Sequence, residues 1–234
     1  MNPFPWILAC LATTLLPLCA AEKPNILFII TDDLGYGDLS CYGQKHFQTP
    51  NLDRLAQQGI RFTDHYSGAT VCAPARCSLM TGKDGGHAYI RGNGPFALRP
   101  DPEDITVATL LRQNGYSTAL IGKSCVTGNT QTPETLAAKG FSYFYGTTDH
   151  QDGHFRYPKF VYENDKRIEL TGNTRYAGPH YDLDLYTRKA EEFIARQDKQ
   201  PFFLLLSYPL PHASLAAPED SLAKVRDGIQ NDIP

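Results

Sequence analysis

Two rhythms of apolar and polar positions alternate along this chain. Asn25-Ile-Leu-Phe-Ile-Ile-Thr31 is a continuous apolar run, the pattern of a strand covered on both faces, as in a parallel sheet flanked by helices. Thr49-Pro-Asn-Leu-Asp-Arg-Leu-Ala-Gln-Gln-Gly59 then reads as a short helix. Thr49 stands at the cap, Pro50 suits the first helical residue and Gly59 falls where a helix stops. Ile60 to Tyr66 alternates like a strand, and Ala75 to Met80, closed by Gly82, predicts a second helix. The pattern repeats with a helix over Thr106 to Asn114, stopped by Gly115, a strand over Ser117 to Ile121 and another over Phe141 to Tyr145. Tyr181 to Gln197 is the longest helical stretch, with Leu183, Tyr186, Ala190, Phe193 and Ile194 on one face, and it feeds the apolar strand Phe202 to Ser207. Strands alternating with helices predict an α/β sandwich with a mostly parallel sheet. Thr147 to His180, rich in Gly, Tyr, His and charge, reads as an excursion from that sheet.

Composition narrows the class of partner. The 234 residues are 41% hydrophobic, enough for one sizeable core, and 25 acidic against 22 basic side chains leave no basic run. A dedicated nucleic-acid binder would concentrate lysine and arginine on one face, so a small-molecule or glycan substrate fits better. Met1 to Ala21 has no charged side chain and carries an apolar stretch from Trp6 to Leu18 before Cys19-Ala-Ala21. This is the pattern of a secretory signal peptide, and the run is shorter than the ~20 residues a membrane span needs. The expected mature protein therefore begins at Glu22, is secreted or periplasmic and has no stable membrane anchor. Four cysteines remain, Cys41, Cys72, Cys77 and Cys125. Disulfides are permitted in that compartment, and the absence of a C-x-x-C argues against a structural zinc site.

In an open α/β sheet ligands bind beyond the carboxyl ends of the strands. Four polar groups lie there by this reading: Asp32-Asp33 after the first strand, Cys72-Ala-Pro-Ala-Arg76 between a strand and a helix, Lys123 after the strand ending at Ile121, and His212 after the strand ending at Ser207. They are expected to converge on one crevice. Paired carboxylates of this kind suit a hard cation such as calcium or magnesium.

The string Cys72-Ala-Pro-Ala-Arg76-Cys-Ser-Leu-Met-Thr-Gly82 resembles the signature of the sulfatase family, in which the cysteine of C-x-P-x-R is oxidised to formylglycine. Lys23-Pro-Asn-Ile-Leu-Phe-Ile-Ile-Thr-Asp-Asp33, Thr49-Pro-Asn-Leu-Asp-Arg-Leu-Ala56 and Gly115-Tyr-Ser-Thr-Ala-Leu-Ile-Gly-Lys123 match in the right order. Pro201-Phe-Phe-Leu-Leu-Leu206 with Pro211-His212 is similar to the family's segment that presents a substrate-binding histidine. The resemblance implies the alkaline-phosphatase-like α/β fold and hydrolysis of aryl or carbohydrate sulfate esters. It implies a nucleophile made from Cys72 by a formylglycine-generating enzyme, and calcium, with magnesium as an alternative, held by Asp32, Asp33 and residue 72. It gives Arg76 the task of holding the formylglycine, Lys123 that of contacting its hydroxyl or the sulfate, and His212 that of binding sulfate or assisting the leaving group.

Two departures from the family pattern stand out. Gly122-Lys123 is followed by Ser124-Cys125 where the family has Trp-His, so a cysteine stands at the position of the proton-removing histidine. The family's later Asp-Asn metal pair, second lysine and C-terminal domain have no counterpart before Pro234, so residues 22–234 are expected to be the N-terminal portion of a sulfatase catalytic domain. With its later neighbours missing, the last strand is expected to leave an exposed apolar edge. Two other functions fit the same residues: a phosphodiesterase or phosphonate monoester hydrolase of the same superfamily, and a non-catalytic secreted binder of sulfated glycans. Substrate choice is expected to lie in loops such as Thr147 to His180.

Overall fold

The computed structural model describes residues 22–124, 133–149, 152–212 and 214–223. The expected signal peptide, Cys125 and the last residues of the chain lie outside the described residues.

The described strands form one six-stranded sheet in the order β1-β6-β2-β3-β4-β5. They are β1 (Ile26–Asp32), β2 (Ser117–Lys123), β3 (Tyr143–Thr147), β4 (Phe160–Glu163), β5 (Lys166–Glu169) and β6 (Phe202–Pro211). Strands β1, β6, β2 and β3 run parallel to one another, and β4 and β5 add as a hairpin antiparallel to β3. The helices are α1 (Pro50–Gln58), α2 (Cys72–Thr81), α3 (Val107–Gln113), α4 (Pro133–Ala138) and α5 (Asp182–Ala195). This is the expected α/β sandwich with a mostly parallel sheet. No helix among the described residues is long and apolar enough to cross a membrane.

The continuous apolar runs of β2 and β6 divide between two cores by the strand period of two. Leu120, Phe203 and Leu205 pack with Ala73, Cys77 and Met80 of α2, Ala108 of α3 and Leu136 of α4. Ala119, Ile121, Phe202, Leu204 and Leu206 face the other way, onto Leu185, Tyr186, Ala190 and Phe193 of α5. The inward face of α5 thus uses Leu185 where Leu183 was expected, and Ile194 points outward.

Local punctuation works as its chemistry requires. Pro50 opens α1, Gly82 closes α2 at φ +68, and the Thr106 side chain accepts from the Thr109 N–H to cap α3 at 3.0 Å. Thr49 holds the cap position of α1, but its hydroxyl donates to Asp53 at 3.1 Å instead of accepting a helix N–H.

Four expectations need correction. β1 is exposed over most of its length, because it is an edge strand paired with β6 alone among the described residues. Ile60 to Tyr66 is not a strand: its alternating side chains are all exposed, and the segment is tied instead by Tyr42 Oη donating to Phe62 O at 2.8 Å. The last strand, β6, is interior, so the exposed apolar edge is that of β1, where Leu27, Phe28 and Ile29 are 46%, 40% and 51% exposed. The excursion after β3 rejoins the sheet as β4 and β5.

Candidate active site

Parallel pairing brings four strand ends to one edge of the sheet. β1 ends at Asp32, β2 at Lys123, β3 at Thr147 and β6 at Pro211, next to His212. The β1/β6 register slips at its end, so Thr31 faces Tyr208 while Asp32 faces Pro211. The slip lets the His212 N–H donate to the Asp32 carbonyl at 3.0 Å. Helix α2 starts at Cys72, three residues before the start its pattern predicts, with Pro74 in the first turn, where a missing N–H costs nothing. Asn93 Oδ1 accepts from the Ala73 N–H at 3.1 Å, satisfying one of the free donors at that helix end.

Asp32 is the hub. It is 5% exposed, and Lys123 Nζ lies 2.5 Å from its Oδ2 and Arg76 Nη2 3.3 Å from its Oδ1. Burial pushes the Asp32 carboxyl up, but the charges of Arg76 and Lys123 and their hydrogen bonds outweigh it and hold the group down at about 2. Lys123, 1% exposed, is shifted below the usual lysine range by burial and by Arg76, which together outweigh the pull of Asp32. Arg76 and Lys123 together offset the charges of Asp32 and of Asp33, and of the two cations Arg76 lines the cleft. Arg76 is fixed from its other side by Nη1 donating to Ser207 Oγ at 2.9 Å. Burial pushes the Cys72 thiol up, so it is held as a neutral thiol, a weak nucleophile in this form.

Asp33 is exposed and left-handed at φ +66, a conformation Asp tolerates better than most residues. The reversal turns its carboxylate toward His212, with Oδ2 3.6 Å from Nε2. Asp32, Asp33, Cys72 and Arg76 line a cleft of about 220 Å³ together with Thr31 and Thr70.

Two members of the site were not singled out in the sequence. The His154 ring stacks on that of His212 at 4.0 Å between centroids and 10° between planes. Donor atoms of Asp32, Cys72, His154 and His212 all lie within 4.8 Å of one another. Ser207, the anchor of Arg76, was missed as well. The only sequence hint for His154 was the histidine-rich composition of the excursion. For Ser207 it was a lone polar residue after five apolar ones.

The donor chemistry also tests the expected cation. Thiol and imidazole are poor partners for a hard dication, so the four-residue group with its cysteine unmodified does not suit calcium. Carboxylate oxygens with an oxygen at position 72 would suit it by chemistry, but Asp33 is not in the group of donors that lie within 4.8 Å of one another.

The family described as Sulfatase matches residues 24–232. Human arylsulfatase D is 42% identical over 142 residues, covering 54% of this chain and 23% of the human protein. The N-acetylglucosamine-6-O-sulfatase of Bacteroides thetaiotaomicron is 33% identical over 216 residues, covering 86% of this chain and 35% of that protein. A solved structure described as a complex with its substrate D-glucosamine-2-N,6-O-disulfate superposes with a TM-score of 0.70 at 30% identity, covering 88% of this chain and 38% of the other. The chain thus spans between about a quarter and two fifths of the length of these relatives.

Proposed function

This chain belongs to the sulfatase family, and from that premise we propose that its site hydrolyses sulfate monoesters of aryl or carbohydrate alcohols. The observation that carries the reading is the pair of buried cations on Asp32, set beside Cys72 and within reach of two histidines. A sulfate monoester is an anion with a poor leaving group, so its hydrolysis needs fixed positive charge and a proton for the departing oxygen.

Arg76 and Lys123 supply the charge. Both are held by Asp32, and Arg76 also by Ser207, so neither reorganises when an anion arrives. His212 is the proton donor to the alcohol oxygen, oriented by its own backbone bond to Asp32 and by the Asp33 carboxylate beside Nε2. Residue 72, if converted to formylglycine by a generating enzyme in the secretory route, would offer a geminal hydroxyl as nucleophile once hydrated, and Asp32, Asp33 and that residue would hold calcium or magnesium, which would supply further positive charge. The same reading makes residues 1–21 a signal peptide and residues 22–234 part of a sulfatase catalytic domain.

Steady-state assays test this. Protein co-expressed with a formylglycine-generating enzyme is expected to turn over an aryl sulfate in preference to an aryl phosphodiester. Cys72→Ala is expected to abolish turnover, and chelation of divalent cations to lower it. Preference for the phosphodiester would transfer the site to phosphodiesterase chemistry. Sulfated-glycan binding without turnover of either ester would make the chain a binder.

A further inference from the structure

Three contacts fix the short turn Asp152–His154 against the site. Gly153 rests on the stem of Lys123 so closely that a Cβ there would lie 3.0 Å from Lys123 Cγ and 3.1 Å from Thr147 Oγ1. Arg156, with no exposed surface, donates from Nη2 to the Gly153 carbonyl at 3.0 Å and pairs through Nη1 with the buried Asp182 of α5 at 3.2 Å. The Ser214 N–H, two residues beyond His212, donates to the His154 carbonyl at 3.1 Å. A fully buried guanidinium is costly to desolvate, and here it holds the one carbonyl next to His154. Such fixing from several sides is what a group that must meet a ligand in one geometry requires.

The turn delivers an imidazole whose donor atom lies within 4.8 Å of those of His212 and Cys72. Two nitrogen donors no farther apart than that can both reach one oxygen at about 2.9 Å, the usual hydrogen-bond length. Arg76 and Lys123 balance the carboxylates of Asp32 and Asp33, so an anion entering this space meets no excess negative charge from these groups.

We propose that His154 is a further substrate-contacting residue of this site, its imidazole donating a hydrogen bond to a sulfuryl oxygen beside His212. The inference rests on the sulfatase reading and adds a group from the excursion segment to its anion-binding wall. His154 acts as a donor and point of contact, and no proton leaves it.

The test compares His154→Gln with His154→Glu, two side chains of equal reach, the first a donor and the second an anion. Binding of inorganic sulfate is measured by calorimetry on protein with residue 72 left as cysteine. KM and kcat for an aryl sulfate are measured on the converted protein. His154→Gln is expected to keep sulfate affinity within a fewfold of the parent, and His154→Glu to lose about tenfold or more, the scale of a hydrogen bond to a charged group. KM is expected to follow the same order, while the pH profile of kcat for His154→Gln stays that of the parent. Equal sulfate affinity in the two variants, or loss in both, overturns the assignment, as does a shifted pH profile in His154→Gln. If the converted parent hydrolyses no sulfate ester, the sulfatase reading falls, whereas the Gln and Glu comparison still decides the anion contact.

Discussion

Asp32 compensates two cations at once, and that sets the cost of losing it. Asp32→Asn would remove the carboxylate that Arg76 and Lys123 both pair with, and it is expected to destabilise the metal-free protein by about 3–5 kcal/mol in chemical denaturation. The folded carboxyl sits at about 2, below its ordinary 3.8, so its contribution is complete above pH 3.8 and is lost as pH falls toward 2. Unfolding free energy measured across that window should fall with acid in the parent and less steeply in Asp32→Asn. A second residue prediction comes from the sequence alone, since Cys125 lies outside the described residues. A thiol with a pKa near ~8.5 is mostly protonated at neutral pH and is a poor base. Cys125→His is therefore expected to raise aryl sulfate turnover of the converted protein, and unchanged rates would show that this position does not limit it. Asp32, Asp33, Cys72, Arg76, Lys123 and His212 were legible as candidates because each sits in a local string or directly after a strand. His154 was not, because nothing within its own segment says which other side chains it meets.

Among the elements, the join of β2 to β6 carries the most consequence for the site. Gly122 faces Ser207 across this join at φ +112, and a Cβ there would lie 2.0 Å from the Ser207 carbonyl oxygen. Ser207 in turn holds Arg76. Gly122→Ala is expected to destabilise by about 1–3 kcal/mol through overpacking, with added backbone strain. Because the displaced strand carries the Arg76 anchor, sulfate binding should weaken along with stability. Denaturation and sulfate titration on the same variant check both, and a loss of stability with unchanged binding would uncouple the strand from the site. Helix positions were readable from Pro50, Gly59, Gly82 and Gly115, whose backbone limits act within a few residues. Ile60 to Tyr66 was misread because alternation marks a strand only where another strand or a core receives one face, and here nothing does.

For the whole molecule, the exposed edge governs behaviour in solution. β1 is paired on one side only among the described residues and presents Leu27, Phe28 and Ile29 to solvent. Unpaired apolar edges template association between chains. Residues 22–234 are expected to self-associate as concentration rises, and Ile29→Lys to increase the monomer fraction in sedimentation velocity. A parent chain that stays monomeric at high concentration would refute this. The sequence by itself determined most of the helices, four of the strands, the mostly parallel class of the sheet and six residues of the candidate site, because apolar periodicity, turn residues and short motifs are local properties. Tertiary structure alone decided that β6 lies between β1 and β2, that β1 is the open edge among the described residues and that His154 reaches the site. An apolar run states that a strand must be covered, not which segments cover it, and that choice is made by contacts between residues far apart in the chain.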